Sequence, residues 1–233
     1  MTDRIHVSYF SDVLCVWAYV AQIRLDELQK SHRQNIEVSY HFIPIFGSVQ
    51  HRVGDSWRER GGFGGYADHV AEVCAGFPHV DLNPDAWRKV RPTSSAPAHQ
   101  FLKAVQLLES GGAISADPSD DLSGRSLLEE AAWRIRLAFF RDGRDISRFE
   151  VLWSFAADLG LPVRELKEQF DNGNALACAC RDTELRTEHN IEGSPTYLLN
   201  HGRQKLYGNL GYKVIEANIE EVLRRPRASA TWC

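Results

Sequence analysis

The chain has 233 residues, and none of its apolar runs approaches the length of a membrane span, so no transmembrane helix is expected. Met1 to His6 shows no basic stretch followed by a long apolar core, so no secretory signal is read there and a cytoplasmic protein is the default. Cysteine is scarce and poorly paired. The five cysteines, Cys15, Cys74, Cys178, Cys180 and Cys233, are odd in number and lack zinc-ligand spacing, which argues against a disulfide framework and for free thiols. Excess charge of either sign is also missing. A net charge of −4 gives no general electrostatic reason to bind nucleic acid or an anionic membrane. Gly61-Gly62-Phe63-Gly64-Gly65 lacks the Lys-Ser/Thr of a phosphate loop, so no nucleotide site is expected. His41, His51, His69, His79 and Cys74 form no compact ligand motif, so no metal is expected either.

A hydrophobic fraction of 43% and a charged fraction of 25% are those of an ordinary globular chain, long enough for one large domain or a domain with an insertion. Ile5 to Phe10 alternates Ile5, Val7 and Tyr9 against His6, Ser8 and Phe10, which predicts a strand. Trp17 to Leu28 carries Val20, Ile23, Leu25 and Leu28 at helical spacing, with Asp12 or the residues after it as the cap. Ile36 to Phe46 reads as a second strand, and a helix between two such strands is a βαβ unit. The glycine cluster at Gly61 to Gly65 and the Gly111-Gly112 and Asp117-Pro118 stretches read as breaks. Around them Ala98–Glu109, Ser126–Arg141, Asp145–Leu159 and Pro162–Asn172 predict four or more helices. Thr196 to Asn200 and Gln204 to Tyr207 then predict a hairpin through His201-Gly202, and Tyr212 to Arg224 a closing amphipathic helix.

The chemistry-bearing residue is Cys15, in Ser11-Asp12-Val13-Leu14-Cys15-Val16-Trp17-Ala18-Tyr19, at the turn from strand to helix. A helix amino terminus stabilises a thiolate through its free amides and dipole, so a lowered thiol pKa is expected there. The spacing is that of a Cys-x-x-Cys redox pair, with Ala18 in place of the second sulfur. Without that sulfur, a mixed disulfide at Cys15 must be resolved by another thiol.

Cys15 at the first strand-to-helix turn, Gly143-Arg144-Asp145-Ile146 in the helical stretch and Gly193-Ser194-Pro195-Thr196-Tyr197 before the late strand together resemble the DsbA-like branch of the thioredoxin superfamily. The resemblance covers nearly the whole chain. It implies an α/β fold with thioredoxin-like βαβ and ββα halves, at 1–47 and 191–225, around an all-helical insertion at 48–190, with a mobile tail at 226–233. It also implies a cis Ser194-Pro195 bond beside the active-site turn, so that Ser194 can pair with an extended substrate. By the same likeness Ser11, Asp12, Val16, Trp17 and Ala18 form that turn, where Val16-Trp17 replaces the more usual Pro-Trp or Pro-Tyr. Ser194, Pro195, Thr196, His99 and Asn209 become substrate-binding candidates. His99 enters because its segment of the insertion faces the active site in relatives, and its imidazole titrates near neutrality.

Two relatives, 2-hydroxychromene-2-carboxylate isomerases and kappa-class glutathione transferases, carry a hydroxyl where this chain has Cys15 and use it to support a bound glutathione thiolate. They also carry an aspartate after the last strand. Here Tyr207-Gly208-Asn209-Leu210-Gly211-Tyr212 has no carboxylate, and Asn209 is the remaining polar group. Three functions follow as expectations: a monothiol thiol-disulfide oxidoreductase resolved by an external thiol, a glutathione-dependent isomerase or transferase, and a redox-inactive peptide-binding module. The resemblance implies no tightly bound cofactor, glutathione as a co-substrate, a small-molecule or peptide thiol or disulfide as partner, and a homodimer as one arrangement. Cys178-Ala179-Cys180 offers a distant resolving thiol, although two cysteines so close are strained as a disulfide with each other. Trp17, Tyr19, Phe46 and Trp57 are candidates for an apolar wall at the site.

Overall fold

Ile5–Ser11 forms β1, and its inward residues Ile5, Val7 and Tyr9 are each almost completely buried, as expected of the central strand of a covered sheet. The computed structural model describes residues 4–224. The stretch 226–233, expected to be mobile, lies outside the described residues. From β1 the chain enters α1 (Val16–His32) and returns as β2 (Ile36–Phe42), parallel to β1 in a register that pairs Ile5 with Ile36 and Ser11 with Phe42. The late hairpin adds β3 (Thr196–Leu199), antiparallel to β1, and β4 (Gln204–Tyr207), giving the order β2-β1-β3-β4. The closing helix, numbered α8 (Tyr212–Arg224), buries Ile215, Ile219 and Val222 against this layer.

Between β2 and β3 every named element is helical: α2 (Gly62–Ala75), α3 (Ala96–Ser110), α4 (Leu127–Phe140), α5 (Phe149–Asp158), α6 (Val163–Asp171) and α7 (Asn174–Glu188), with short 3-10 and π turns. A single apolar cluster runs from β1 and α1 through α2, α3 and α4, so the sheet and the helices share one core.

The structure corrects several readings. β2 stops at Phe42, not Phe46: Ile43 makes the last bond to β1, its N–H on Ser11 O, Pro44 has no N–H, and the N–H groups of Ile45 and Phe46 are taken by Ile43 O and Asp12. The glycine cluster is not a break. Gly61, at φ 90°, caps α2, and Gly62, Gly64 and Gly65 lie within the helix. A Cβ at position 65 would stand 1.7 Å from Arg60 O, so the tight entry into α2 requires glycine there. Helix α7, which carries Cys178 and Cys180, has no counterpart among the expected helices.

As an outer strand, β2 would expose unpaired backbone groups. Side chains of α3 and α7 cover two of them, at Tyr40 and Phe42. Lys103 Nζ donates to Tyr40 O at 3.2 Å, and the N–H of Phe42 donates to Asp182 Oδ2 at 2.7 Å. Lys103 and Asp182 are themselves a buried ion pair at 2.8 Å, and Asp182 Oδ1 faces His41 Nδ1 at 2.9 Å. Removing one member of a buried pair strands the other charge. Asp182→Ala is therefore expected to cost about 3–5 kcal/mol of folding free energy, read as a lower urea midpoint, and a change within error would refute this role.

Candidate active site

The sheet register brings the two halves of the site together. Because Phe10 pairs with Thr196 in the antiparallel β1–β3 ladder, the segment after β1 and the segment before β3 meet at the same end of the sheet. There the N–H of Asp12 donates to Ser194 Oγ at 2.9 Å, and the Ser194–Pro195 peptide bond is cis. Cys15 sits at the amino-terminal cap of α1 in extended conformation, with φ −80° and ψ 116°, and its carbonyl accepts from the N–H of Tyr19 at 3.0 Å. Of the expected caps, Asp12 or the residues after it, the position falls to Cys15 and not to Asp12. Asp12 Oδ1 accepts from the N–H of Leu14 instead, closing the turn that precedes the helix.

The Cys15 thiol donates to Ser194 O at 3.1 Å and is 7% exposed. Burial pushes this thiol above its ordinary value. A hydrogen bond from the Ser194 hydroxyl and the amides of Ala18 and Trp17 pull the other way, while the nearby Asp12 charge adds to the rise. The net direction is upward, which corrects the lowered value expected from the helix terminus alone. Sequence position supplied the helix amides but not the desolvation that outweighs them. Ala18, where a second sulfur would lie in a two-cysteine motif, is fully buried.

Asp12 is the polar centre of the site. Its Oδ2 accepts from the N–H of Phe46 and from Ser95 Oγ, both at 2.8 Å, and its Oδ1 from Leu14. Burial opposes its ionisation, yet its carboxyl is held below the usual carboxylate value by His99 and the Phe46 and Leu14 amides. His99 Nε2 lies 3.3 Å from the N–H of Val13 and 3.5 Å from Asp12 Oδ1. A backbone N–H only donates, so a bare Nε2 accepts from Val13, and an Nε2 that carries the proton donates to Asp12 Oδ1.

The remaining candidates divide. Ser194 and Pro195 lie at the thiol, and Trp17 lies beside it, half-buried. Val16 is buried in the core. Ser11 is fully buried and accepts from Arg136 Nη2 at 2.9 Å behind the turn. Thr196 is also fully buried, its hydroxyl donating to Gly193 O, so it shapes the loop and is closed to a substrate. Asn209 is not gathered at the thiol: its Oδ1 accepts from Arg24 Nη1, nine residues along α1 from Cys15, about 13 Å of helix. The expected aromatic wall splits in two. Phe46 and Trp57 converge on Tyr66, with Trp87 behind, whereas Tyr19 stacks on Trp133 and Phe140.

Ser95 and Arg136 were missed. Ser95 precedes α3 with Pro97 close behind, a helix-start signature that hides its donation to Asp12. Arg136 was findable, because it falls on the apolar stripe of α4 beside Ala132, Ile135 and Phe139. It is 2% exposed and, among the described residues, has no carboxylate within ion-pair distance.

No protein-family model and no curated protein matches the chain. Solved structures do. The chain is similar to the cytosolic disulfide reductase DsbM of Pseudomonas aeruginosa, with 23% identity and a TM-score of 0.62 over 92% of this chain and 98% of that one. It is similar to a probable DsbA oxidoreductase of Streptomyces coelicolor, with 18% identity and a TM-score of 0.70 over 99% and 94% of the two chains. A 2-hydroxychromene-2-carboxylate isomerase matches with 15% identity and a TM-score of 0.64 over 95% and 97%. These likenesses establish the fold, that of the DsbA-like thioredoxin-fold proteins, with helices inserted between the two halves of the sheet.

Two outcomes follow from the electrostatics. The pH profile of Cys15 alkylation by iodoacetamide is expected to have its midpoint above the ordinary thiol value of about 8.5, and Asp12→Asn to move it downward by removing the like charge. A midpoint below that value would refute the account. Asp12, with its folded pKa depressed, stabilises the protein above its unfolded value of about 4, and that stability is lost as pH falls through the folded pKa. Urea midpoints between pH 6 and pH 3 should therefore fall more steeply for the wild type than for Asp12→Asn.

Proposed function

We propose that the protein catalyses thiol-disulfide exchange through Cys15 alone, with an external thiol completing the cycle. The observation that carries this reading is the placement of the Cys15 thiol at the cap of α1, 3.1 Å from Ser194 O in the loop before Pro195, with Ala18 where a resolving sulfur would be. Attack of the Cys15 thiolate on a disulfide R–S–S–R′ forms Cys15–S–S–R and releases R′–S⁻. A second thiolate then attacks the mixed disulfide at R, forming a new disulfide and returning Cys15 as thiolate. Each step makes one S–S bond and breaks one. The Trp17 and Ala18 amides and the Ser194 hydroxyl, as donors to sulfur, oppose the burial that keeps it protonated, so they favour the thiolate that attacks and leaves at Cys15.

The external thiol is glutathione or a thiol of its class. Support comes from DsbM, whose structure has also been solved with GSH, a match of 22% identity and TM-score 0.61. Such a cycle suits a reducing, cytosolic compartment, where low-molecular-weight thiols are plentiful.

One observation favours a second reading. Cys15 is held as a neutral S–H donor, the role a hydroxyl plays in glutathione-dependent isomerases and transferases, so the thiol would support a bound thiolate without forming a disulfide. Cys15→Ser separates the two. Under the first reading it abolishes exchange with oxidised glutathione while leaving the fold intact, and wild-type protein shows a glutathione adduct at Cys15 by mass spectrometry. Exchange unchanged in Cys15→Ser would refute it. Under the second, Cys15→Ser retains glutathione-dependent isomerase or transferase turnover.

A further inference from the structure

The helical insertion brings one further hydroxyl to the thiol, that of Tyr66. Helix α2 packs on α1, and Tyr66 lies near its start, just past the tight entry at Gly61 and Gly65. Three rings hold the phenol. It stands edge-on to Trp57 and Trp87, with centroids 4.9 and 5.2 Å away, and tilted against Phe46 at 6.1 Å. Phe46 is the residue whose N–H the Asp12 carboxylate holds, so this wall is fastened to the turn that presents Cys15. Trp87 is fully buried at φ 64°, a backbone region that a bulky residue occupies only where its surroundings impose it. Tyr66 is itself 9% exposed, and a ring so enclosed carries its hydroxyl in a fixed direction.

That direction is toward the sulfur. Burial pushes the Tyr66 hydroxyl well above the ordinary phenol value, and of the charges that act on it Cys15 comes first, ahead of Arg52 and Asp12. The hydroxyl has no hydrogen-bond partner among the described residues. Unlike the unpartnered hydroxyls of Tyr9 and Tyr197, it is not sealed from solvent, so an incoming group can reach it. Nor is it bonded to Cys15, whose S–H is given to Ser194 O. A phenol that stays protonated where thiols ionise meets an anionic sulfur only as a donor. In thiol-disulfide exchange the attacking, central and leaving sulfurs lie in line, so negative charge develops one sulfur beyond Cys15. A donor close to Cys15, yet outside hydrogen-bond reach of it, stands at the distance where that charge appears.

We infer that Tyr66 is a catalytic residue of the exchange, its O–H donating to the sulfur that leaves when Cys15 attacks the substrate disulfide. The Cys15 thiolate forms its bond to the R sulfur of R–S–S–R′, the S–S bond breaks, and its electron pair goes to R′–S⁻, which accepts the hydrogen bond. The proton stays on Tyr66, because the thiol is the stronger acid. Such a donor suits alkyl disulfides, whose leaving thiolates are basic and leave slowly unaided. The inference rests on Cys15 being the reacting thiol.

Tyr66→Phe keeps the ring and removes the hydroxyl. Formation of the mixed disulfide at Cys15 is followed by peptide mass spectrometry with oxidised glutathione, whose leaving thiol is a weak acid, and with 2,2′-dithiodipyridine, whose leaving group needs no donor. With oxidised glutathione, Tyr66→Phe is expected to lower the second-order rate about tenfold, the worth of one hydrogen bond to a charged group. With dithiodipyridine the rate is expected to change less than about twofold. Alkylation of Cys15 by iodoacetamide, in which no sulfur leaves, is expected to be unchanged. A merely structural role would slow all three reactions together, and that result, or an unchanged rate with oxidised glutathione, would overturn the inference. Wild-type protein gives a second readout that does not depend on the variant folding. Over a series of alkyl and aryl disulfides its rate is expected to fall less steeply with leaving-thiol pKa than the rate of free glutathione, and equal slopes would overturn the role of Tyr66. Absence of any exchange in the wild type overturns the reading of Cys15 and Tyr66 with it, whereas uniform slowing in Tyr66→Phe overturns Tyr66 alone.

Discussion

The buried carboxylate of Asp12 is the constraint on which the site depends. Through three accepted hydrogen bonds it ties the turn before α1, the loop after β2 and the start of α3, and its own N–H reaches Ser194 across the sheet. Four segments distant in sequence are thereby fixed around one group. A carboxylate so deeply buried is tolerated because its lone pairs are matched by directed donors. The helical insertion is therefore not merely appended to the sheet: it enters the active site through Ser95 and His99.

The same group sets the chemistry in tension with the fold. Asp12 organises the turn that presents Cys15, and its negative charge makes the thiolate of Cys15 harder to form. The α1 amides and the Ser194 hydroxyl, as donors to sulfur, act in the opposite sense. Arg136 brings a buried positive charge behind the turn, through Ser11 and Gln22, and among the described residues no carboxylate pairs with it. The site is thus built from opposed contributions, and burial decides the direction for the unliganded thiol.

Much of this was legible in the sequence. The strand, helix and strand before residue 47 and the hairpin and helix after residue 195 follow from period and turn chemistry, and α8 begins at its expected Tyr212 and is helical through Arg224, the last described residue. What was not legible depends on tertiary contact. Helix α2 begins in a glycine run that local propensity reads as a break, but Tyr66, Ala67, Val70 and Val73 bury one face of it. Helix α7 buries only Ala175 and Asp182, so it has no apolar stripe to detect, and its anchor is the ion pair with Lys103. Cys15 and Ser194 were found by motif. The direction of the thiol pKa was not, because desolvation depends on what packs over a residue and not on its neighbours in the chain.

The covering of β2 by Lys103 and Asp182 reaches beyond stability. A sheet grows by offering free peptide groups to a new strand, and at Tyr40 and Phe42 those groups are occupied by side chains of this same chain. Extension at the active-site end of β2 is blocked by the ion pair that holds those groups, whereas at the other border, β4, Lys205 and Tyr207 face solvent. The two borders of the sheet are therefore finished differently among the described residues, one by buried charge and one by exposed side chains.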